Sequence, residues 1–381
     1  MKKPAREFQV FVKPAGALCN LRCRYCYYLE KKNLYKGTCS DTMSDKVLEN
    51  YIRQHIEAST EENIIFSWHG GEPLMAGLDF YSKAVELQKR YKPEGRNILN
   101  GIQTNGTLLD EEWCSFLSNE KFMVGISIDG PGELHDRLRV TDGGKPTLNR
   151  VLSGFEMLQK HNILIEILCV VSSVNVGYPL AVYDFFRRAG AGFITFIPLV
   201  ERIRGSDAGV SNYTVPAEEF GMFLCTVFDE WKERDIGTIK VQIFEEALRA
   251  AFDQEHTLCI FRENCGGVPV LERNGDLYSC DHYVDEDHFL GNISERPLAE
   301  FLDSDRQQAF GRIKSESLPG YCLRCEVRKL CNGECPKNRF IRTPDGEPGL
   351  NYLCSGYRRF FSHILPFIRI LREVWKKDAL K

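Results

Sequence analysis

The chain has 381 residues, with 49 Lys and Arg against 53 Asp and Glu, a formal charge of −4 at pH 7. That length holds about two domains around a sizeable core, and the acidic balance, with no Lys/Arg-rich face, argues against bulk affinity for nucleic acid or an anionic membrane. No stretch approaches the run of about 18 apolar residues that a membrane-spanning helix needs, and MKKPAREFQVFVKP lacks the apolar centre of a secretion signal, so a cytoplasmic location is expected.

The first strand is expected at Gln9 to Val12. After the turn Pro14 to Gly16 comes Cys19-Asn-Leu-Arg-Cys23-Arg-Tyr-Cys26, three thiols that one loop can bring to one point. Soft thiolates at such spacing hold an iron–sulfur cluster or zinc. A cubane cluster takes four ligands, so three cysteines leave one iron open to a substrate or cofactor. A zinc knuckle, or three unrelated thiols, is the plainer alternative.

Further strands are expected at Ile64 to Trp68, Ile98 to Gln103, Met123 to Ile128, Ile163 to Val171 and Phe193 to Pro198. Helices fall between them at Ser44 to Ala58, Leu78 to Tyr91, Asp110 to Asn119, Thr147 to His161 and Tyr178 to Ala189. Ser44, Asp110 and Thr147 are the expected caps, and Pro93 and Gly190 the stops. Six βα units in succession predict an α/β fold with a parallel sheet, curled into a partial (β/α)6 TIM-like barrel. Polar loops then share the rim at the C-terminal strand ends: His69-Gly70-Gly71-Glu72-Pro73, Gln103-Thr104-Asn105-Gly106-Thr107, Ser127-Ile128-Asp129-Gly130-Pro131, Ser172-Ser173-Val174-Asn175 and Pro198-Leu199. The plain reading, that Gly and Pro merely end strands, explains one or two of these loops but not a whole ring.

Residues 200 to 258 read as a connector, with a charged loop from Glu201 to Asn212 and helices at Pro216 to Arg234 and Phe244 to His256. Composition changes at Cys259. Cys259 and Cys265 precede a hairpin pattern, Val268 to Ser279, turned at Asn274-Gly275 and ending at Cys280-Asp281. Cys322-x2-Cys325-x5-Cys331-x3-Cys335 and Cys354 follow, completing eight cysteines. Without a secretion signal a disulfide framework is not expected, and metal binding accounts better for such density. Eight is two sets of four, and spacing alone allows either a sequential or an interleaved division. The last segment, from Gly356, places Phe361, Ile364, Ile368, Leu371 and Trp375 on one helical face, a core-docked helix kinked at Pro366. Cys169 and Cys225 read as small core residues; Cys39 and Cys114 receive no role.

Together, CxxxCxxC after a first strand, GGEP after a second and eight cysteines downstream resemble the radical S-adenosylmethionine enzymes with a C-terminal SPASM domain. Within that group the likeness is to the anaerobic sulfatase-maturating enzymes. It is carried by FVKPAGALCNLRCRYCYY, GGEPLMAGLDFY, IQTNGTLLDEEW, GISIDGP and Cys280-Asp281, and it runs from Val12 to the last helix. The resemblance implies a radical SAM partial barrel over 1–236, a helical connector over 237–258, a SPASM domain with two auxiliary clusters over 259–355, and a C-terminal helix over 356–381.

It also implies roles. Cys19, Cys23 and Cys26 would ligate a 4Fe–4S cluster whose fourth iron chelates S-adenosylmethionine. Gly70, Gly71 and Glu72 would approach the methionyl amino group, and Ser127 and Arg139, with Gln103 and Asn105, the carboxylate and ribose. Tyr28 would pack on or bond to the cofactor. Two further 4Fe–4S clusters would be held by Cys259, Cys265, Cys280 and Cys335, and by Cys322, Cys325, Cys331 and Cys354. The implied reaction is removal of a Cβ hydrogen from a cysteine or serine of an unfolded sulfatase peptide by a 5′-deoxyadenosyl radical, giving Cα-formylglycine. Asp281 would be the base, with His282 a weaker candidate, and a flavodoxin or ferredoxin the low-potential electron donor. His69 departs from the Gln expected before Gly-Gly in these maturases. Two alternatives are a SPASM peptide maturase forming thioether or carbon–carbon cross-links, and a zinc module contacting nucleic acid through Cys322 to Cys335, which the acidic charge disfavours.

Overall fold

The structure, a computed structural model, describes residues 7–31, 41–203, 205 and 209–378, with side chains of the last helix through residue 374. Cys39, the side chain of Trp375 and part of the 201–212 loop lie outside the described residues. The chain forms two compact units: Met1–Ser127, Leu138–Glu166 and Gly266–Gly311 make the first, and Ile128–Arg137, Ile167–Cys265 and Arg312–Lys381 the second. Residues 266–311 fall in the first unit, and 259–265 and 312–355 in the second.

The strands in chain order are β1 (Phe11–Lys13), β2 (Asn63–Trp68), β3 (Asn97–Thr104), β4 (Met123–Ser127), β5 (Leu164–Val171), β6 (Phe193–Pro198), β7 (Lys240–Val241), β8 (Val270–Glu272), β9 (Asp276–Tyr278) and β10 (Phe289–Asn292). In the first unit β1 to β4 are parallel neighbours, with Phe11 opposite Ser67, Trp68 opposite Ile102 and Thr104 opposite Ile126. On β2 the alternation is explicit: Ile64, Phe66 and Trp68 are sealed in the core while Ile65 faces out. Helices Asp45–Ala58 and Glu111–Asn119 start as expected, Ser44 and Asp110 accepting from the amides of Val47 (3.4 Å) and Trp113 (2.8 Å). Thr147 differs. It precedes the helix Leu148–Lys160 but donates its hydroxyl to the Arg139 carbonyl (2.8 Å), because that buried side chain meets the preceding loop rather than the helix's free amides.

The β8–β9 hairpin turns at Asn274-Gly275 as read, but its partner was not legible. β8 lies parallel to β1, with Lys13 opposite Glu272, and β9 and β10 continue the order antiparallel. Val270, Tyr278 and Val284 bury against Ala17 and Tyr28 in one apolar cluster. This pairing, across some 260 positions, brings Cys280 and Asp281 into the unit that holds the three-cysteine loop.

In the second unit β5, from Ile167, pairs with β6 in parallel, and β6 with β7, two residues too short to show a period. The helix expected to reach His256 is Gln242–Ala251, ended where Asp253 takes a left-handed φ of 57°. Helices Ala217–Arg234 and Cys354–Asp378 cross at two glycines. A Cβ on Gly356 would lie 2.1 Å from the Ala217 carbonyl, and one on Gly221 2.6 Å from that of Gly356. Gly356→Ala is therefore expected to destabilise the protein by about 1–3 kcal/mol through overpacking; a denaturant midpoint equal to the parent's would contradict this contact. Among the described residues no helix is long and apolar enough to cross a membrane.

Candidate active site

The cysteine loop is sutured to the Gly-Gly-Glu stretch by its backbone. The Gly71 and Glu72 amides donate to the carbonyls of Gly16 and Leu18, each at 2.8 Å. A Cβ on Gly71 would stand 2.2 Å from the Leu18 oxygen, so the residue must be glycine for the two chains to meet. Close approach at Gly71 is thus to the loop that presents Cys19. Glu72 is likewise committed within the protein. It is fully buried, one carboxylate oxygen accepting from the Thr104 hydroxyl (2.8 Å) and the Leu74 amide (3.0 Å), the other from the Asn105 amide (2.8 Å). Burial pushes it up to about 7, and those three donors hold it from rising further. Its role in this geometry is to fix the loop after β3.

That loop reaches the first cysteine. The Asn105 side-chain amide lies 3.8 Å from the Cys19 sulfur and 2.9 Å from the Asn20 oxygen, and Asn20 donates to Thr107 (2.8 Å). The Leu21 amide also points at the Cys19 sulfur, at 3.4 Å. Donors aimed at a sulfur suit a metal-bound thiolate. Burial pushes the Cys19 thiol up to about 12, so it needs a cation to ionise it, as bound iron would supply. The amides of Arg22 and Arg24 donate to Val140 and Leu138 (2.8 and 2.9 Å), which sets Arg139 beside the cysteines, buried, its guanidinium 5.5 Å from the Tyr25 ring centre. Gln103 donates to Ser127 (3.1 Å), so these two expected cofactor contacts are neighbours across β3 and β4. The Tyr28 ring is buried in the β8–β9 core and its hydroxyl donates to Glu272.

Asp281 follows the hairpin and closes on β1. Its carboxylate pairs with the Lys13 ammonium at 2.6 Å and accepts from the Tyr27 hydroxyl. Burial alone would raise it, but the Lys13 and His282 charges and the Tyr27 hydrogen bond outweigh that and hold it well below the usual carboxylate range. It is a fixed anion. Lys13, itself buried, also lies 4.5 Å from the Tyr28 ring centre. Neither Lys13 nor Tyr27 was singled out from sequence; both lie inside the FVKP…CYY stretch, but nothing local signals that the hairpin returns there. His69 stacks on Phe11 at 4.1 Å, and burial, with Lys13 nearby, pushes it down to about 3, leaving it neutral. His282 packs 5.5 Å from Tyr27.

In the second unit Cys322, Cys325, Cys331 and Cys354 line one pocket, with about 400 Å³ of empty space partly open to solvent. The Cys331 to Cys335 turn is unusual. Asn332, Gly333 and Glu334 all take left-handed φ, 46°, 69° and 50°, a conformation that costs about 1–2 kcal/mol for a residue with a Cβ. Arg339 holds it: its guanidinium donates to the carbonyls of Gly333 (2.9 Å), Asn332 (2.9 Å) and Glu334 (3.2 Å). No three His, Cys, Asp or Glu side chains among the described residues are gathered tightly enough for a single metal ion. Cys259, Cys265 and Cys335 also belong to this unit, Cys280 to the first. Cys169 is buried, as read, whereas Cys225, read as a core residue, is half-buried.

Two families match successive parts of the chain. Residues 15–184 match the radical SAM superfamily, and residues 259–326 the SPASM iron–sulfur cluster-binding domain. The chain is 46% identical over 382 residues to a serine-type anaerobic sulfatase-maturating enzyme of Bacteroides thetaiotaomicron, covering 97% of this chain and 92% of that one. It is 32% identical over 360 residues to a cysteine-type anaerobic sulfatase-maturating enzyme of Clostridium perfringens, covering 94% and 96%. A solved structure of native anSMEcpe with bound AdoMet and Cp18Cys peptide matches with a TM-score of 0.87 and 31% identity, over 96% of this chain and 99% of that one. Streptococcus suis SuiB, at 16% identity and a TM-score of 0.61 over 90% of this chain and 76% of that one, shares the fold alone.

Proposed function

Because this chain belongs to the anaerobic sulfatase-maturating enzymes of the radical SAM superfamily, we propose that it oxidises a serine or cysteine of a sulfatase peptide to Cα-formylglycine. The observation that carries the reading is the Asp281 carboxylate, held by Lys13 and Tyr27 in the same unit as the three-cysteine loop. Cys19, Cys23 and Cys26 would hold a 4Fe–4S cluster, and Ser127, Gln103, Asn105 and Arg139 would contact S-adenosylmethionine. Those two groups, when bound, supply the radical that removes one Cβ hydrogen.

The protein's own part is proton and position. Loss of a second electron from the peptide makes its thiol or hydroxyl proton acidic, and Asp281, ionised and fixed from two sides, would accept it. The lowered pKa of Asp281 keeps it free of a proton until that moment. The guanidinium of Arg139 would pair with a carboxylate of the cofactor, and the Glu72 clamp keeps the β3 loop in place. Cys322, Cys325, Cys331 and Cys354, ringing one pocket, would hold an auxiliary 4Fe–4S cluster, and Cys259, Cys265 and Cys335 would contribute to another. The partners are an unfolded sulfatase segment and a flavodoxin or ferredoxin donor in the cytoplasm.

Reduced holoenzyme with S-adenosylmethionine and paired peptides S-x-P-x-R and C-x-P-x-R tests this by mass spectrometry. The serine peptide is expected to lose a pair of hydrogens, in line with 46% identity to a serine-type relative. Cofactor turnover with both peptides unchanged would overturn the reading.

A further inference from the structure

A lysine is seldom sealed from solvent unless an opposite charge answers it. Lys314, near the end of the helix Asp305–Glu316, is fully buried. Its ammonium donates to the carbonyls of Cys259 (2.8 Å) and Ile260 (2.7 Å), which take two of its three hydrogens and leave its charge unanswered. The groups acting on it electrostatically are Cys265, Cys259, Glu334 and Cys335. Glu334 is a weak counter-charge, since its carboxylate is buried and taken up by Asn351 (2.6 Å) and Asn338 (3.1 Å). The other contributors are three cysteines, of which Cys259 touches the ammonium through its carbonyl.

Arg339 ties this cation into the turn described above. Its guanidinium donates to the Lys314 carbonyl at 2.6 Å while gathering the carbonyls of residues 332 to 334. The helix that carries Lys314, the Cys259 loop and the Cys331–Cys335 turn are thereby one hydrogen-bonded body within the second unit. The ammonium's position is fixed by the same contacts that fix the cysteines.

We propose that Lys314 is the built-in counter-charge of the auxiliary cluster to which Cys259, Cys265 and Cys335 contribute, and that it raises that cluster's reduction potential. The inference rests on the reading that those cysteines hold a cluster. Reduction by one electron adds one negative charge to a cluster, and a fixed cation in a buried, low-dielectric setting stabilises the reduced form more than the oxidised one. Hydrogen bonding alone would not do this, because the carbonyl contacts are the same in both states.

The test is an EPR-monitored redox titration of holoenzyme carrying Lys314→Met, Lys314→Gln or Lys314→Arg, after iron and sulfide counting. The parent is expected to hold about 12 irons in three clusters; a parent with about four would defeat the cluster reading itself, before any variant is compared. In Lys314→Met one auxiliary signal is expected to move to more negative potential by a tenfold change in its oxidised-to-reduced ratio, about 59 mV for one electron. Lys314→Gln, which keeps a donor and loses the charge, should move alike, and Lys314→Arg should stay with the parent. Unchanged potentials in Lys314→Met and Lys314→Gln at full iron content would overturn the proposal, as would loss of that cluster's iron from both, which would make Lys314 a strut alone.

Discussion

Asp281→Asn is expected to keep its iron and to go on cleaving S-adenosylmethionine while formation of oxidised peptide falls by about two to four orders of magnitude, the usual worth of a positioned general base. The amide is the same shape as the carboxylate: its one oxygen can still accept from Lys13, while its NH2 would donate to the Tyr27 oxygen, so two contacts continue to fix its place. What it cannot do is take a proton. The informative readout is the ratio of 5′-deoxyadenosine to formylglycine, which should rise steeply because cofactor cleavage precedes the proton step. Lys13 is buried and would lose its counter-charge, and breaking one side of such a pair costs about 3–5 kcal/mol. A melting curve beside the assay separates that loss from the chemical one. If the variant makes product at the parental rate, Asp281 is not the proton acceptor.

Gly71→Ala is expected to remove the first cluster selectively. The added methyl would sit 2.2 Å from the Leu18 carbonyl oxygen and 2.7 Å from its carbon, so the backbone of one partner must move. Both partners are constrained: the Gly71 and Glu72 amides bond to that loop, and the Glu72 side chain is locked by Thr104, Leu74 and Asn105. The loop end bearing Cys19 is therefore what yields. About four of some 12 irons should be lost, cofactor cleavage should vanish, and the auxiliary signals should persist. Full iron content with parental cofactor cleavage would show that the loop can relax without moving its cysteine.

The parallel strands, their helices and most caps were legible because each is written in local period and punctuation: Ile64, Phe66 and Trp68 alternate, and Ser44 and Asp110 stand where free amides need them. The cysteine motifs were legible through spacing. What could not be read was long-range pairing. Lys13 meets Asp281 only because β8 settles beside β1, and no local pattern in FVKP or in CDHY announces that register. The protein partners of Glu72 and Tyr28 were equally hidden, since β3 and the loop after it supply those of Glu72 and β8 that of Tyr28. Thr147 illustrates a smaller version, a capping residue drawn off by a nearer carbonyl.

Transfer of the peptide's own Cβ hydrogen tests the central claim most directly. Reduced holoenzyme should be incubated with S-adenosylmethionine and a peptide whose target serine carries deuterium at Cβ. Deuterium appearing in 5′-deoxyadenosine, in step with formylglycine, is the expected result. 5′-Deoxyadenosine free of deuterium beside an oxidised peptide would mean that the radical is not what opens the Cβ–H bond, and the proposed function would fall.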